Sequence, residues 1–334
     1  MNVTIKDVAK KAGVSVSTVS LVINKKPAIT EETRQRVLQA IEELNYYPRR
    51  IAQGLASKRN GNIGFILTDY HFSRAEPFYT KIFLGSEFEA RHHNYYLLLT
   101  TIQNKFAQSD IPRFLLEKNV DGVILAGKVP TGLIEHISGY GLPTVFVDYT
   151  PPKGKYFAVL MDNIDGAKQA VGHLIEKGHR KIAFIGGDIS HPSIQSRLEG
   201  YRQALMEANL VFNEQLVITS SPNTTDIDGY QSTCALIQNG EPLTAIFAAN
   251  DAMAFGCNRC LKEKNIRVPD QIALVGFDDV ELAIEMEPRL TTIKVNKEDI
   301  GAIAVKSLVE MLDTNRKING KILAPVELIV REST

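Results

Sequence analysis

Tryptophan is absent from the 334-residue chain, so any ring that stacks on a ligand must come from its Phe or Tyr residues. No run of about 18 apolar residues occurs, and no transmembrane helix is expected. The start, Met1-Asn2-Val3-Thr4-Ile5-Lys6-Asp7, lacks the apolar stretch of a signal peptide, so the expected location is the cytoplasm. Three cysteines (Cys234, Cys257, Cys260) are too few and too scattered for a disulfide framework. Cys257-x-x-Cys260 hints at a metal, but it lies in a helical pattern without a second ligand pair. Buried structural thiols are expected there, and no metal. Catalytic signatures are missing too. No G-x-G-x-x-G follows the first strand, and neither a Walker A pattern nor a G-x-S-x-G elbow is present. The seven histidines show no H-E-x-x-H spacing, and His92 and His93 are adjacent, so they cannot share a helix face. An enzyme is not expected, nor is a cofactor.

What is present is enough apolar residue for a sizeable core, 44% hydrophobic with 23% charged, over a length suited to two or three domains. The 38 bases balance the 38 acids only on average. Residues 1–60 hold eleven bases and five acids, net +6, which leaves 27 bases and 33 acids, net −6, in the remainder. A small basic head on a larger acidic body points to a polyanion as the head's partner.

The head reads as helices only. Ile5, Val8, Ala9 and Ala12 repeat at helical spacing, Gly13-Val14-Ser15 interrupts, and Val16–Asn24 resumes with Val19, Val22 and Ile23 on one face. Thr30 reads as the N-cap of a third helix whose buried stripe is Val37, Ile41 and Leu44. Two short helices around a Gly-containing turn make a helix-turn-helix candidate. The second helix exposes Val16, Ser17, Thr18, Ser20, Leu21 and Asn24, small enough to enter a major groove about 12 Å wide. The hydroxyls of Ser15, Thr18 and Ser20 can donate to phosphates. The same pattern also suits a capped hairpin that binds protein.

From Ile63 onward, short apolar strands alternate with amphipathic helices. Candidate strands run from Ile63–Leu67 to Ala158–Met161 and from Lys181–Ile185 to Leu323–Val330. This predicts an α/β body of two doubly wound parallel-sheet lobes, with ligands at the carboxyl ends of strands in the cleft between them. Asp148, Asn250, Asp278 and the loop leading to Ser193 and Arg197 lie just past predicted strand ends. Asn250 also suits a helix cap, and Asp278-Asp279 a turn.

Thr4-Ile5-Lys6-Asp7-Val8-Ala9, Ala12-Gly13-Val14-Ser15, Thr18-Val19-Ser20, Val22-Ile23-Asn24 and Tyr47-Pro48 resemble the head of the lactose-repressor/galactose-repressor family. Pro77-Phe78-Tyr79, Val120-Asp121-Gly122-Val123-Ile124, Gly276-Phe277-Asp278-Asp279 and Leu290-Thr291-Thr292-Ile293 carry the resemblance through nearly the whole body. It implies a sequence-specific transcriptional regulator, a repressor by expectation, whose hold on a near-palindromic operator in double-stranded DNA is controlled by a small metabolite such as a sugar. The implied architecture is a helix-turn-helix domain over residues 1–48, a hinge helix and linker over 49–61, and an effector-binding and dimerisation domain over 62–334 of periplasmic-binding-protein type. Its amino-terminal lobe is expected over 62–160 plus 292–320, and its carboxyl-terminal lobe over 161–291 plus 321–334.

Residue by residue, the resemblance implies base reading by Val16, Ser17 and Leu21, and phosphate contact by Thr4, Ser15, Thr18 and Asn24. Family members commonly carry arginine where Leu21 stands. Leucine packs only on thymine methyls and apolar edges, so the half-site is expected to differ from the usual one. Leu55 matches the hinge leucine wedged into the central base step, and Ala52 and Ala56 match small residues that let paired hinges approach. Gln53 and Arg49 depart from the usual residues at their positions. Asp148, Ser193, Arg197, Asn250 and Asp278 match effector-contacting positions, with Phe78 and Tyr79 facing the cleft, Tyr149 a further candidate and the role of His191 open. No leucine heptad follows Arg331-Glu332-Ser333-Thr334, so a homodimer is expected. The competing readings are a solute-binding protein, which shares the body fold, and a sugar-active enzyme.

Overall fold

The computed structural model describes residues 3–23, 26–46, 59–69, 77–103, 105–221, 223–316 and 318–334. The chain divides into two units, residues 1–61 and 62–334. In the first, the described residues form three helices: α1 (Ile5–Ala12), α2 (Val16–Ile23) and α3 (Glu31–Glu43). Each is set by local chemistry. The Asp7 carboxylate accepts both the N–H (2.8 Å) and the hydroxyl (2.7 Å) of Thr4, closing the first turn of α1. Gly13 ends that helix at φ +65°, a left-handed conformation that costs glycine nothing. Ser15 Oγ caps α2 by accepting the Thr18 N–H (3.1 Å), and Thr30 caps α3 through the Thr33 N–H (3.4 Å). The core is small: Val8, Ala9, Ala12, Val19, Val22, Val37, Ala40 and Tyr46. Of the expected stripe on α3, Val37 is buried while Ile41 and Leu44 are only partly so, because Ala40 turns inward between them. Asn24, Ala52, Leu55 and Ala56, expected at the DNA, lie outside the described residues.

The second unit contains two six-stranded sheets. The first is built from β1 (Asn62–Thr68), β2 (Tyr96–Ile102), β3 (Gly122–Ala126), β4 (Thr144–Val147), β5 (Phe157–Met161) and β11 (Gly320–Ala324), in the order β11-β5-β4-β3-β1-β2, all parallel. The second is built from β6 (Ile182–Ile185), β7 (Val217–Ile218), β8 (Ala245–Ala248), β9 (Ala273–Asp278), β10 (Thr291–Val295) and β12 (Val326–Ile329), in the order β12-β10-β9-β8-β6-β7. It is parallel except at its edge, where β12 runs antiparallel to β10. Strands β3, β6, β8 and β9 are buried at every position, as expected of parallel strands covered on both faces. The covering helices are α4 (Phe78–His92), the single turn α5 (Arg113–Leu116), α6 (Thr131–Gly139), α7 (Asn163–Glu176), α8 (Pro192–Glu207), α9 (Asp226–Gln238), α10 (Asp251–Glu263) and α11 (Lys297–Thr314).

Two expectations need correction. Leu323–Val330 is not one strand. Pro325 has no N–H for a ladder, and the chain leaves the first sheet with β11 and enters the second with β12. The lobe boundaries shift accordingly: 291–295 pairs with β9 in the carboxyl-terminal lobe, and 320–324 pairs with β5 in the amino-terminal lobe. The chain thus crosses between lobes near Asp162, Asn296 and Pro325. The cysteines are the second correction. Cys234 on α9 and Cys260 on α10 form a disulfide, their Cα atoms 6.0 Å apart, so only Cys257 remains a buried thiol, its pKa pushed up to about 12 by burial. The helices meet that closely because Gly229 and Gly256 face each other's backbone. A Cβ on Gly256 would overlap the Asp226 carbonyl. Among the described residues, no group of His, Cys, Asp or Glu side chains could hold a metal, and no helix is long and apolar enough to cross a membrane.

Candidate ligand cleft and recognition helix

The carboxyl ends of β3, β4, β6, β8 and β9 and the first turns of α4, α6, α8, α9 and α10 surround one cavity of about 850 Å³. Strand ends and helix starts converge there because β3, β6 and β8 are each followed by a helix that doubles back over the sheet. All seven residues singled out from the sequence, Phe78, Tyr79, Asp148, Ser193, Arg197, Asn250 and Asp278, stand on its wall, and each is less than a tenth exposed.

Asp148 follows β4 in the left-handed region at φ +56°. Its carboxylate accepts the Tyr79 hydroxyl (2.7 Å) from its own lobe and the Ser193 hydroxyl (2.6 Å) from the other. Burial, and then the Asp148 charge, hold the Tyr79 phenol well above its ordinary pKa, so it stays a donor. Arg197 is fixed on every side. Its Nε donates to Asn163 Oδ1 (2.8 Å), Nη1 to the Ala249 carbonyl and Nη2 to Asp278 Oδ1 (3.3 Å), while the guanidinium lies 3.6 Å from the centre of the Phe277 ring. Burial raises the Asp278 carboxyl to about 6, against the pull of Arg197 and Lys297 toward ionisation. Asn250 spends its amide on structure. Oδ1 accepts the Met253 N–H (2.8 Å) as the cap of α10, and Nδ2 donates to the Thr224 carbonyl (3.0 Å). The capping alternative therefore holds for Asn250.

Asp278 and Asp279 both have positive φ, +111° and +52°, a conformation that costs about 1–3 kcal/mol per residue unless the surroundings impose it. Three side chains impose it. Buried Lys297, first residue of α11, donates to the carbonyls of Asp278, Asp279 (3.3 Å) and Val295 (3.3 Å). Arg331 Nη2 donates to Asp279 Oδ1 (2.6 Å), and Asp251 Oδ2 accepts the Val280 N–H (2.9 Å). Sequence reading missed Lys297, Arg331 and Asn163, since their partners are carbonyls and side chains remote in the chain. It also missed a bridge at the cleft. Lys128, after β3, reaches across to Asp188 Oδ2 (3.3 Å) and Ser190 Oγ (2.7 Å), after β6. Both Lys128 and Asp188 follow strand ends, a signal that could have found them. Tyr149 and His191 line the cleft together, their ring centres 6.3 Å apart.

On the head, Val16 and Leu21 are 41% and 38% exposed, large apolar side chains left outside a core that takes Val19 and Val22. Ser17 is exposed beside them, and Thr18 and Ser20 are half-buried. Ser15, expected at a phosphate, has its hydroxyl within 2.8 Å of Thr18 Oγ1 and 2.6 Å of Ser17 Oγ in addition to its capping bond. Thr4 is likewise occupied by Asp7. Their hydroxyls organise the helix starts, which leaves Val16, Ser17 and Leu21 as the outward-facing set.

Residues 4–49 match the model of bacterial regulatory proteins of the lacI family, and residues 171–334 match a periplasmic binding protein-like domain. The chain is 32% identical to catabolite control protein A of Priestia megaterium, with 100% of both chains covered. It is 33% identical to the HTH-type transcriptional repressor PurR of Pasteurella multocida (strain Pm70), covering 99% of this chain and 98% of that one. Among solved structures, the Lac repressor dimer bound to operator and the anti-inducer ONPF superposes with a TM-score of 0.83 at 29% identity over 100% of this chain and 99% of that one. The transcriptional regulator CelR in complex with cellobiose gives 0.76 at 30% identity, over 99% and 100%. The chain belongs to the LacI family of bacterial regulatory proteins, DNA-binding transcriptional repressors that carry an effector-binding domain, and it is not an enzyme.

Proposed function

We propose that this protein is a cytoplasmic homodimeric repressor that grips a near-palindromic operator with two heads and changes its grip when a small polyhydroxylated ligand, a sugar, occupies the cleft. Two-fold symmetry of a dimer matches two half-sites. Val16, Ser17 and Leu21 read bases, and Leu55 acts as the hinge wedge. In the body, Asp148 and Asp278 accept ligand hydroxyls, Arg197 supplies the planar donor fork between them, and Phe78 and Tyr79 form the apolar wall. Structures of relatives that hold cellobiose and ONPF support a glycoside-like ligand. The observation that carries the reading is the buried Arg197–Asp278 pair (3.3 Å) set on a cavity wall with Asp148, both carboxylates keeping lone pairs for a ligand. Such an array orients a polyol.

The test uses thermal shift over a panel of sugars, followed by operator binding with and without the stabilising sugar. A bound ligand raises the melting temperature because it binds only the native state. Arg197→Ala is expected to abolish both the shift and the ligand's effect on operator affinity while the protein still binds DNA. A normal dose response in that variant would remove Arg197 from the site.

A further inference from the structure

The cleft wall carries an unequal set of charges. Among the described residues four carboxylates line it, Asp148, Asp188, Asp226 and Asp278, against two cations, Lys128 and Arg197. His191 adds no positive charge at neutral pH, because burial, the largest influence on its ring, lowers its pKa below the ordinary value. Its Nδ1 accepts the Ser193 N–H (3.3 Å), which leaves the proton on Nε2 as a neutral donor. Both cations are already committed, Arg197 to Asp278 (3.3 Å) and Lys128 to Asp188 (3.3 Å). Asp226 is paired with Arg259 (3.1 Å). Asp148 differs from the other three. Its partners among the described residues are the neutral hydroxyls of Tyr79 and Ser193, and no ion pair among them holds its charge.

Helix starts pull the other way, since α4, α6, α8, α9 and α10 all begin on the wall and helix N-termini attract anions. The protein has answered the three of the carboxyl-terminal lobe itself, while α4 and α6 start after Pro77 and Pro130 with no side-chain cap. His191 takes the Ser193 N–H, Thr225 the Asp228 N–H (3.3 Å) and Asn250 the Met253 N–H, while Asp226 places a carboxylate at the first position of α9. Beside Asp148 an incoming anion would meet a carboxylate that only hydroxyls hold, and the helix starts of the carboxyl-terminal lobe partly occupied. A sugar hydroxyl would meet acceptor lone pairs and the neutral donors of the same wall.

We propose that the cleft selects an uncharged saccharide and rejects the phosphate ester of the same sugar, with Asp148 as the residue that sets the rejection. This rests on the sugar reading above and narrows it. A phosphate monoester carries a charge of roughly −1.5 to −2 at pH 7, and Asp148 repels it where it would welcome a hydroxyl.

The experiment is calorimetric titration of the full-length protein with matched pairs: ribose and ribose 5-phosphate, glucose and glucose 6-phosphate, cellobiose and its 6′-phosphate. In any pair that binds, the free sugar is expected to bind at least tenfold more tightly. Asp148→Asn is expected to narrow that ratio at least tenfold. A phosphate ester that binds the unaltered protein as tightly as its free sugar overturns the proposal and leaves the sugar reading standing. An unchanged ratio in an Asp148→Asn protein that still melts cooperatively also overturns it. If that variant does not fold, the ratio in the unaltered protein decides. If no member of any pair binds, the sugar reading falls and this proposal falls with it.

Discussion

Asp251 shows how a single buried carboxyl ties pH to stability. It is 1% exposed, accepts the Thr292 hydroxyl at Oδ1 (2.5 Å) and the Val280 N–H at Oδ2, and its pKa is pushed up to about 8 by burial first and the Asp278 charge second. An unfolded aspartate titrates near about 3.9. Between those two values the native state holds a proton that the unfolded chain has released. Stability from this group is therefore complete below about pH 4 and is lost as pH rises through about 8. Asp251→Asn cannot titrate. Denaturant midpoints measured from pH 5 to 9 are expected to fall with pH more steeply for the unaltered protein than for the variant. Parallel profiles would show that Asp251 is ionised throughout. At this scale the sequence revealed residues whose position alone marks them. Asp148, Asn250 and Asp278 stand at the ends of apolar runs, and strand ends are where an α/β fold puts its ligand. Lys297, Asn163 and Arg331 gave no such mark, because a lysine that serves backbone carbonyls on another lobe looks like any lysine at a helix start.

Between elements, the α9–α10 pair controls one wall of the cleft. Their first turns supply Thr225, Asp226, Ile227, Ala252 and Phe255 to the cavity, and their axes approach closely because Gly229 and Gly256 carry no side chain. A methyl at Gly256 would push against the Asp226 carbonyl, and backbone yields less easily than a side chain. Gly256→Ala is expected to destabilise the protein by about 1–3 kcal/mol, the usual cost of overpacking. Because the wall itself moves, it should also weaken ligand binding. Chemical denaturation and titration of the same variant check both effects, and unaltered stability would mean that the helices separate freely. Helix packing of this kind was not legible beforehand. The pattern at 226–238 and 251–263 announced two helices, but nothing in it showed that Cys234 and Cys260, one on each, would face one another. Pro325 was legible and was overlooked. An apolar run from Leu323 to Val330 reads as one strand until the missing N–H in its middle is counted, and that residue decides which lobe each half joins.

At the level of the whole molecule, the body can regulate the head only through a difference in free energy. The cleft lies between lobes joined by three crossings, near Asp162, Asn296 and Pro325, and is bridged by side chains, among them Ser193 to Asp148, Lys128 to Asp188 and Lys81 to Glu281. A ligand that contacts both lobes binds one arrangement of them better than another, and it shifts the population by no more than that preference. If the favoured arrangement also differs in operator affinity, the two bindings are coupled, typically by about 1–3 kcal/mol, or about 5- to 150-fold. Coupling of this kind is reciprocal. Whatever factor the filling of both clefts of the dimer imposes on operator affinity, operator DNA must impose on the sugar's overall affinity for the two clefts, in the same direction. Two titrations check this: operator binding at zero and saturating sugar, and sugar binding to free and operator-loaded protein. Equal factors are expected. A Lys128→Met protein, which loses the bridge to Asp188 and Ser190, should keep the equality while the common factor changes, since the bridge weights one lobe arrangement over the other. Unequal factors in the unaltered protein would mean that the sugar acts at a second place, away from the cleft.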